Sequence, residues 1–567
     1  MVKNLKSFLF ILKKKNLLFL IGLALTLSLL WPLFASNYFS HHDDVQIIRL
    51  HQMHECIKDF QIPCRWVPDL GGLYGYPLFN YYAPLPYYFG EIFYLLTGSL
   101  IFSVKAMLAV SFVGAYVFMY LLGRRLWGNE GGVLSGIFYS FAPYHAVDFY
   151  VRGAMGEMWA FMFFPAILLA ILKLEEKTNL RNVGLIAVSS AALIMSHNIS
   201  AMIFTPVLIG FAILHYLKRK KAIFIPYFLI SIFLGLVLSA FYWLPAAWEK
   251  DLVHVETTTV GYFSYTEHFK GLRKLFLDRS WGWGPSLREI PGGEKDAMSY
   301  QIGWVHVAGW FMSLLVAAYL FVKGKKWYSY LILFGTAAIA AGVFMIHPRS
   351  VFVWNLVPPL RFLQFPWRFL ILITLFTSLL SGSVFLWIRK KFRALVFIIM
   401  VSLAVGLNFS YFRPEKFLDV EEGELLRGLP WDRQIKRSIF DYLPIYAKAP
   451  PAELADKRYE VLEGVVEIHN LKERSNRFSF EAEVENKAII RLSKYYFPDW
   501  KVFRNGQELD IDYNNDLGLI TFSLDKGMHR ISGRLFNTPI RTLANITSAL
   551  GVGMIGFLFV NRRYGHS

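Results

Sequence analysis

Residues 84–97 read Pro84-Leu85-Pro86-Tyr87-Tyr88-Phe89-Gly90-Glu91-Ile92-Phe93-Tyr94-Leu95-Leu96-Thr97. Whether this stretch crosses a membrane decides the topology of all that follows. It is apolar, but it is short, opens with two prolines and contains Glu91. A transmembrane helix needs about 20 apolar residues, so an interfacial or re-entrant helix is predicted instead. The other apolar runs are of spanning length or near it: 17–34, 101–122, 131–147, 158–174, 183–197, 199–217, 222–248, 300–322, 327–346, 366–388, 394–409 and 543–560. They predict a polytopic α-helical membrane protein with about twelve spans.

Short basic loops mark the cytoplasmic side. With the N-terminus cytoplasmic and 84–97 left uncrossed, six basic clusters all fall inside. They are Arg124-Arg125, Lys173 with Lys177 and Arg181, Lys218–Lys221, Lys323 with Lys325-Lys326, Arg389–Lys391, and Arg562-Arg563. Counting 84–97 as a span would put every later cluster outside. Lys3, Lys6 and Lys13–Lys15 precede the first run, which is long for a secretory h-region and lacks a small-residue cleavage site, so a retained signal-anchor is expected.

Composition agrees. Of 567 residues, 55% are hydrophobic and only 18% charged, against about 25% charged in soluble domains. Mean hydropathy is +0.39. The net charge of +18 raises nucleic-acid binding, but the basic residues sit in short clusters between apolar runs, as topology determinants do. No nucleic-acid partner is expected, and the cell membrane is the expected location.

Three segments then lie outside: 36–98, 249–299 and 413–540. The expected organisation is a transmembrane part over 1–412, an extracytoplasmic β-rich domain over 413–540, and a C-terminal span with a short tail over 541–567. The later half of 413–540 alternates in the manner of strands (RFSFEAEVE, AIIRLSKYYF, HRISGRLF), and Arg504-Asn505-Gly506 has the form of a hairpin turn. A small antiparallel β-sandwich is predicted.

The first outer segment holds the best candidate chemistry. His41-His42-Asp43-Asp44 places two carboxylates just past the first span. Such a pair can bind a divalent cation, Mg2+ or Mn2+, or act as general base. Alternatively, Asp44 caps the amphipathic helix marked by Ile47, Leu50, Met53, Ile57 and Phe60. Cys56 and Cys64, the only cysteines, leave both a disulfide and two free thiols open. The aromatic run from Gly72 to Tyr88 suits a bilayer interface, and also a sugar-binding surface.

The order and spacing of these motifs resemble a bacterial and archaeal membrane family whose domain is labelled "6-pyruvoyl-tetrahydropterin synthase-related". The resemblance rests on the Asp pair, Pro63-x-Arg65-Trp66-x-Pro68, the run from Gly75 to Leu85 that includes Tyr81, Pro143-Tyr144-His145, Tyr150-Val151-Arg152-Gly153 with Glu157, and His197-Asn198-Ile199-Ser200. Trp243-Leu244-Pro245-Ala246 with Glu249-Lys250, and Gln364 to Phe369, complete it. A pterin synthase of that name is a small soluble enzyme with a histidine-ligated zinc, which these spans do not supply. The architecture is instead similar to the GT-C glycosyltransferase superfamily, which implies a polyprenyl-phosphate-linked sugar donor, a glycan or protein acceptor and contact with membrane lipid.

The resemblance makes Asp43 and Asp44 the expected catalytic and metal-binding residues. Expected substrate contacts are His42, Arg65, Tyr81, Arg152, Glu157, His197, Glu249, Arg361 and Arg368. Several of these sit at outer span ends, where ionisable groups are costly unless paired or functional. An Asp148–Arg152 pair at helical spacing is the structural alternative for Arg152. Arg361 and Arg368, placed outside against the positive-inside trend, suit a phosphate or a lipid headgroup. The expected function is an envelope glycosyltransferase acting on the outer face, and the alternative is a non-catalytic lipid-glycan transporter or polymer-assembly protein.

Overall fold

The computed structural model describes residues 14–288, 298–437 and 442–560. The clusters containing Lys3, Lys6, Lys13, Arg562 and Arg563 lie outside the described residues. Eight helices among the described residues are long and apolar enough to cross a membrane, or nine if a bent pair counts as one span. Two shorter apolar helices, Leu17–Ser28 and Leu180–Ser196, accompany them. Met155–Glu176 and Pro366–Leu386 are buried in the middle of the bundle, whereas Lys390–Tyr411 and Pro539–Phe559 lie on its outside. Exposed Phe311, Leu315, Ile398, Val552 and Phe557 form the apolar coat that a lipid environment calls for.

Two runs expected to be continuous are broken, each for a local reason. Residues 222–248 form Phe224–Leu238 and Ala240–Trp248, bent by 74°. At the break the Ser239 hydroxyl donates to the Gly235 carbonyl, and the Phe241 N–H leaves the ladder to donate to Ser548 Oγ on the C-terminal helix. Residues 131–147 also break. Asn129–Ser140 ends just ahead of Pro143, which cannot donate to the helical ladder, and a π-turn, Val147–Arg152, follows.

Residues 84–97 form a single helix, Leu85–Thr97, of 13 residues. At 1.5 Å per residue it spans about 20 Å, short of the bilayer's hydrocarbon core. Ile92, Leu95 and Leu96 are exposed, while Glu91 turns inward to His54 Nδ1 at 3.0 Å. Burial pushes the Glu91 carboxyl up, and His54 partly offsets it. The helix therefore presents apolar residues outward and keeps its one charge on the protein side. Gln46–Lys58 is the expected amphipathic helix, but its N-cap is Val45 with no side-chain bond, so Asp44 is not its cap. Cys56 and Cys64 form a disulfide. Lys105 donates to the Ala35 and Asn37 carbonyls and so holds the chain where it leaves the first helix.

The later part of the chain forms two antiparallel sheets. The five-stranded one runs Val466–Arg474, Arg477–Val484, Gly527–Leu535, Trp500–Arg504, Gln507–Leu509. The three-stranded one runs Tyr459–Glu463, Ala488–Tyr495, Leu519–Leu524. Alternate side chains are buried, as the sequence pattern requires: Phe478, Phe480, Ala482 and Val484 in one strand, Ala488, Ile490 and Leu492 in another. Arg504 pairs with Gln507 across Asn505-Gly506, both at positive φ, so the hairpin forms where Asn-Gly places it.

Asn129–Ser140 and Pro366–Leu386 touch backbone to backbone. A Cβ at Gly382 would fall 2.4 Å from the Gly131 carbonyl oxygen, and one at Gly131 would fall 2.7 Å from that of Gly382. Small residues let helices approach this closely in a bilayer. Gly382→Val is expected to lower the thermal unfolding midpoint of detergent-purified protein and its yield as a monodisperse peak. Gly553→Val, where no atom lies within 4 Å of the added Cβ, is expected to leave both unchanged.

Candidate active site at the end of the helix bundle

The site is built around the turn that follows the π-turn. Gly153 takes φ +63, and a Cβ there would fall 2.5 Å from the His41 ring, so only glycine fits. This close approach lets residues 42 and 43 run along the turn. His42 N–H donates to the Val151 carbonyl and Asp43 N–H to the Arg152 carbonyl, each at 2.9 Å. Gln46 Nε2 fastens the start of the following helix to the Gly153 carbonyl at 2.8 Å. Asp43 is thereby held beside Arg152 although over a hundred residues separate them in the chain.

Beneath Asp43 lies a buried ionic network. Arg152 Nη1 donates to Glu157 Oε2 at 2.8 Å and also to the Asp148 carboxylate. Tyr144 donates its hydroxyl to Glu157 Oε1 at 2.5 Å. Arg368 Nε stands 3.5 Å from Glu157 Oε2, and its Nη1 donates to the Leu363 carbonyl and Gln364 Oε1. The Arg152 guanidinium also lies 4.6 Å from the centre of the Trp367 ring. Asp148–Arg152 is thus the structural pair its spacing allows, and Arg152 reaches further, to Glu157.

These groups floor a partly enclosed cavity of about 450 Å3. Asp43, Tyr81, Arg152, Glu157, His197 and Arg368 line it, six of the residues singled out from sequence. The Asp43 carboxylate is 39% exposed, and its Oδ2 accepts from Gln46 Nε2 (3.1 Å) and Arg49 Nη1 (3.4 Å). His197 Nδ1 accepts from the Ser200 N–H and caps the next helix. The basic Arg49, Arg152, Lys250 and Arg368 outnumber the acidic Asp43 and Glu157 on the cavity wall. The acidic loop therefore leads into a cavity of positive balance, suited to an anion.

The other expected residues lie elsewhere. Asp44 does not line the cavity; its charge acts on Tyr38, whose phenol is pushed up by burial first and then by Asp44 and Asp43. His42 is on the surface, with Nε2 2.7 Å from the Trp283 carbonyl oxygen. Arg361 is exposed, its guanidinium near the Phe362 ring. Arg65 and Glu249 belong to a second network. Arg65 donates to Asn80, the Phe241 carbonyl and Asn545, while Glu249 accepts from Asn80, Thr538 and Arg541. Tyr81 connects the two regions. Its hydroxyl donates to the Glu249 carbonyl at 2.7 Å, and burial, then the Glu249 charge, push that phenol up.

Sequence reasoning left Arg49, Lys250, Gln364 and Tyr442 out of the site. Arg49 sits on the polar side of an expected amphipathic helix, and Lys250 and Gln364 fall inside quoted motifs, so a signal existed for these three. Tyr442, which stacks on Tyr81 with ring centres 5.5 Å apart, comes from a distant segment with no motif.

A helical bundle of apolar, spanning-length segments, with a charged cavity at one end, defines a polytopic membrane protein with a polar site. Residues 79–413 match the family described as "6-pyruvoyl-tetrahydropterin synthase related domain; membrane protein". The chain belongs to that family. It is 22% identical over 214 residues to an uncharacterized protein of Lactococcus lactis subsp. cremoris, a match covering 36% of this chain and 35% of that one. Among solved structures it is similar to the arabinofuranosyltransferase AftD from mycobacteria (TM-score 0.46, 15% identity, 72% of this chain and 28% of that chain). It is similar also to the oligosaccharyltransferase AglB from Archaeoglobus fulgidus in complex with an inhibitory peptide and a dolichol-phosphate (0.42, 14%, 71% and 56%). A third is ArnT from Cupriavidus metallidurans bound to undecaprenyl phosphate (0.35, 11%, 68% and 63%). The chain thus spans less than two thirds of each of these proteins.

Removing Glu157 leaves Arg152 and Arg368 facing each other in a buried site. Breaking one member of such a network costs about 3–5 kcal/mol. Glu157→Ala is expected to lower the thermal unfolding midpoint in detergent clearly more than Asp43→Ala, whose carboxylate is partly solvated. Equal effects would show that the network is not a structural keystone.

Proposed function

We propose that this protein is a membrane glycosyltransferase that takes a sugar from a polyprenyl-phosphate-linked donor and passes it to an envelope acceptor at the outer face. The observation that supports this most is the convergence in one cavity of a partly exposed carboxylate, Asp43, with the guanidinium groups of Arg49, Arg152 and Arg368. The cavity lies at the end of the bundle that carries the long first segment, on the side the basic clusters assign to the exterior.

In this reading the donor's phosphate meets Arg152 and Arg368, whose positions are fixed by Glu157 before substrate arrives. Asp43 is the general base. As the acceptor hydroxyl attacks the anomeric carbon, its proton passes to Asp43 and a new C–O bond forms. The bond from that carbon to the phosphate oxygen breaks, and the electron pair leaves on the lipid phosphate. Attack from the opposite face inverts the anomeric configuration. Tyr81 and His197 border the space left for the sugar, and the two sheets, read as a small sandwich, offer an acceptor-binding surface.

A divalent cation, Mg2+ or Mn2+, fits only in part. Asp43 Oδ2 already accepts from Gln46 and Arg49, which leaves a single oxygen, and Asp44 does not join it on the cavity wall. We therefore place a cation, when bound, on Asp43 with the donor's phosphate, where it would neutralise phosphate charge. No step above depends on it.

A transporter reading requires a polar path through the bundle. Below the arginines, Tyr144, Phe161 and Trp367 pack around the network, with Tyr144 and Trp367 ring centres 6.4 Å apart, and this favours a closed-floor active site.

Transfer is measured in membranes with a panel of labelled polyprenyl-phosphate sugars. Asp43→Asn is expected to reduce the rate by about 100-fold or more, and Asp44→Asn to retain most of it. Full activity in Asp43→Asn defeats the proposed base. EDTA treatment of the wild type reads the cation separately, and loss restored by Mg2+ or Mn2+ supports its place on Asp43.

A further inference from the structure

A second cationic site lies apart from the Asp43 cavity, where the first long segment, the five-stranded sheet and the start of the C-terminal helix meet. It is a cavity of about 130 Å3 whose walls include Gln61, Arg65, Asn476, Arg534 and Arg541. Arg65 and Arg541 are 5% and 1% exposed. Glu249 accepts from Arg541 Nε at 2.9 Å, yet Arg541 Nη2 and Arg65 Nε are buried with no hydrogen-bond partner among the described residues. Two guanidinium groups thus share one nearby carboxylate. Burial, then the charge of Arg541, pull Arg65 down to about 10, and Glu249 offsets this in part. Unsatisfied buried donors are costly, and an oxyanion in the cavity that both side chains line would compensate them once the guanidinium groups turn toward it. The Asn476 amide, also buried and unpaired at Oδ1, can turn its NH2 toward such a ligand. Further out, Lys472, Arg477 and Arg534 line a neighbouring surface pocket.

What sets this cavity apart from a simple anion hole is its neighbour. Ile62 and Pro63 line both the cationic cavity and an apolar groove of about 680 Å3. The groove runs between the helices Leu180–Ser196 and Pro539–Val560, against Tyr88, Val188, Ala191, Ala549 and Val552. Asn545, which accepts from Arg65 at 2.7 Å, lies on the groove wall as well. Neither space shares a lining residue with the Asp43 cavity.

We propose that this junction is a binding site for an anionic phospholipid, with its phosphate between Arg65 and Arg541 and an acyl chain in the groove. The juxtaposition of a positively charged, donor-rich cavity with an apolar groove on the membrane-facing side matches one amphiphile at both ends. The lipid would tie the C-terminal helix to the first segment and to the sheet, adding to the direct bonds from Arg65 to Asn545 and from Gln61 to Ser475. The inference does not depend on the proposed transferase activity.

The test is native mass spectrometry of delipidated full-length protein in detergent, titrated with phosphatidylglycerol, with phosphatidylcholine and with inorganic phosphate. Phosphatidylglycerol is expected to bind at one tight site and to raise the unfolding midpoint, with phosphatidylcholine clearly weaker. Arg65→Gln, which keeps an amide to bond Asn80 and Asn545, is expected to weaken phosphatidylglycerol binding by about tenfold. Because that variant sits in a buried network, Ala549→Phe provides an independent arm. It fills the groove from an exposed position and is expected to weaken lipid binding while leaving the unfolding midpoint of the lipid-free protein unchanged. Equal binding of the two lipids overturns the proposal. So does undiminished binding in Ala549→Phe, or stabilisation by inorganic phosphate equal to that by the lipid, which would mean a free-anion site.

Discussion

The carboxylate of Glu157 is shared by Arg152, Tyr144 and Arg368, and the rest of the candidate site depends on that arrangement. Charges at this depth are tolerated only when compensated by geometry and hydrogen bonds. Glu157 opens the helix Met155–Glu176, Arg152 closes the π-turn before it, and Arg368 stands at the entrance to Pro366–Leu386. One carboxylate therefore fixes the relative placement of three pieces of chain. It also holds two guanidinium groups against a cavity they would otherwise leave for solvent.

The π-turn then positions the proposed base. Its last carbonyls receive the N–H groups of His42 and Asp43, and Gly153 allows the approach because it has no Cβ to strike His41. Arg49 and Gln46, one helical turn on, hold the Asp43 carboxylate from the other side. The acid and the arginines are thus placed by backbone pairing and by a buried ion network, both stiffer than a surface loop. That rigidity is what a preorganised anion site requires.

The second network follows the same physics with a different balance. Glu249 accepts from Arg541, Asn80 and Thr538 and joins the bent helix to the C-terminal helix. Arg65 adds a further positive charge without a matching carboxylate. Its neighbours Asn80, Asn545 and the Phe241 carbonyl are neutral acceptors. At Glu157 the two arginines meet two carboxylates, Glu157 and Asp148, while in the second network Arg541 pairs with Glu249 and Arg65 bonds neutral groups.

Much of this was legible in the sequence. Hydropathy placed the apolar helices, because a lipid environment demands long apolar runs whatever the packing. Proline and Glu91 kept 84–97 out of the count, and Asn-Gly placed a hairpin, since both are local constraints. The motif containing Arg152, Gly153 and Glu157 marked the site's floor. The sequence could not distinguish Asp43 from Asp44. They are adjacent and alike, and only the pairing of residues 42–43 with 151–152 puts Asp43 on the cavity wall and leaves Asp44 off it. Nor could it separate Arg65 and Glu249 from Arg152 and Arg368, since all are charged residues near span ends. Which charges share a cavity is set by how the helices pack, through contacts spanning hundreds of residues. Composition and periodicity, being local, determined what would be buried in a membrane. The tertiary structure alone decided which of the charges meet.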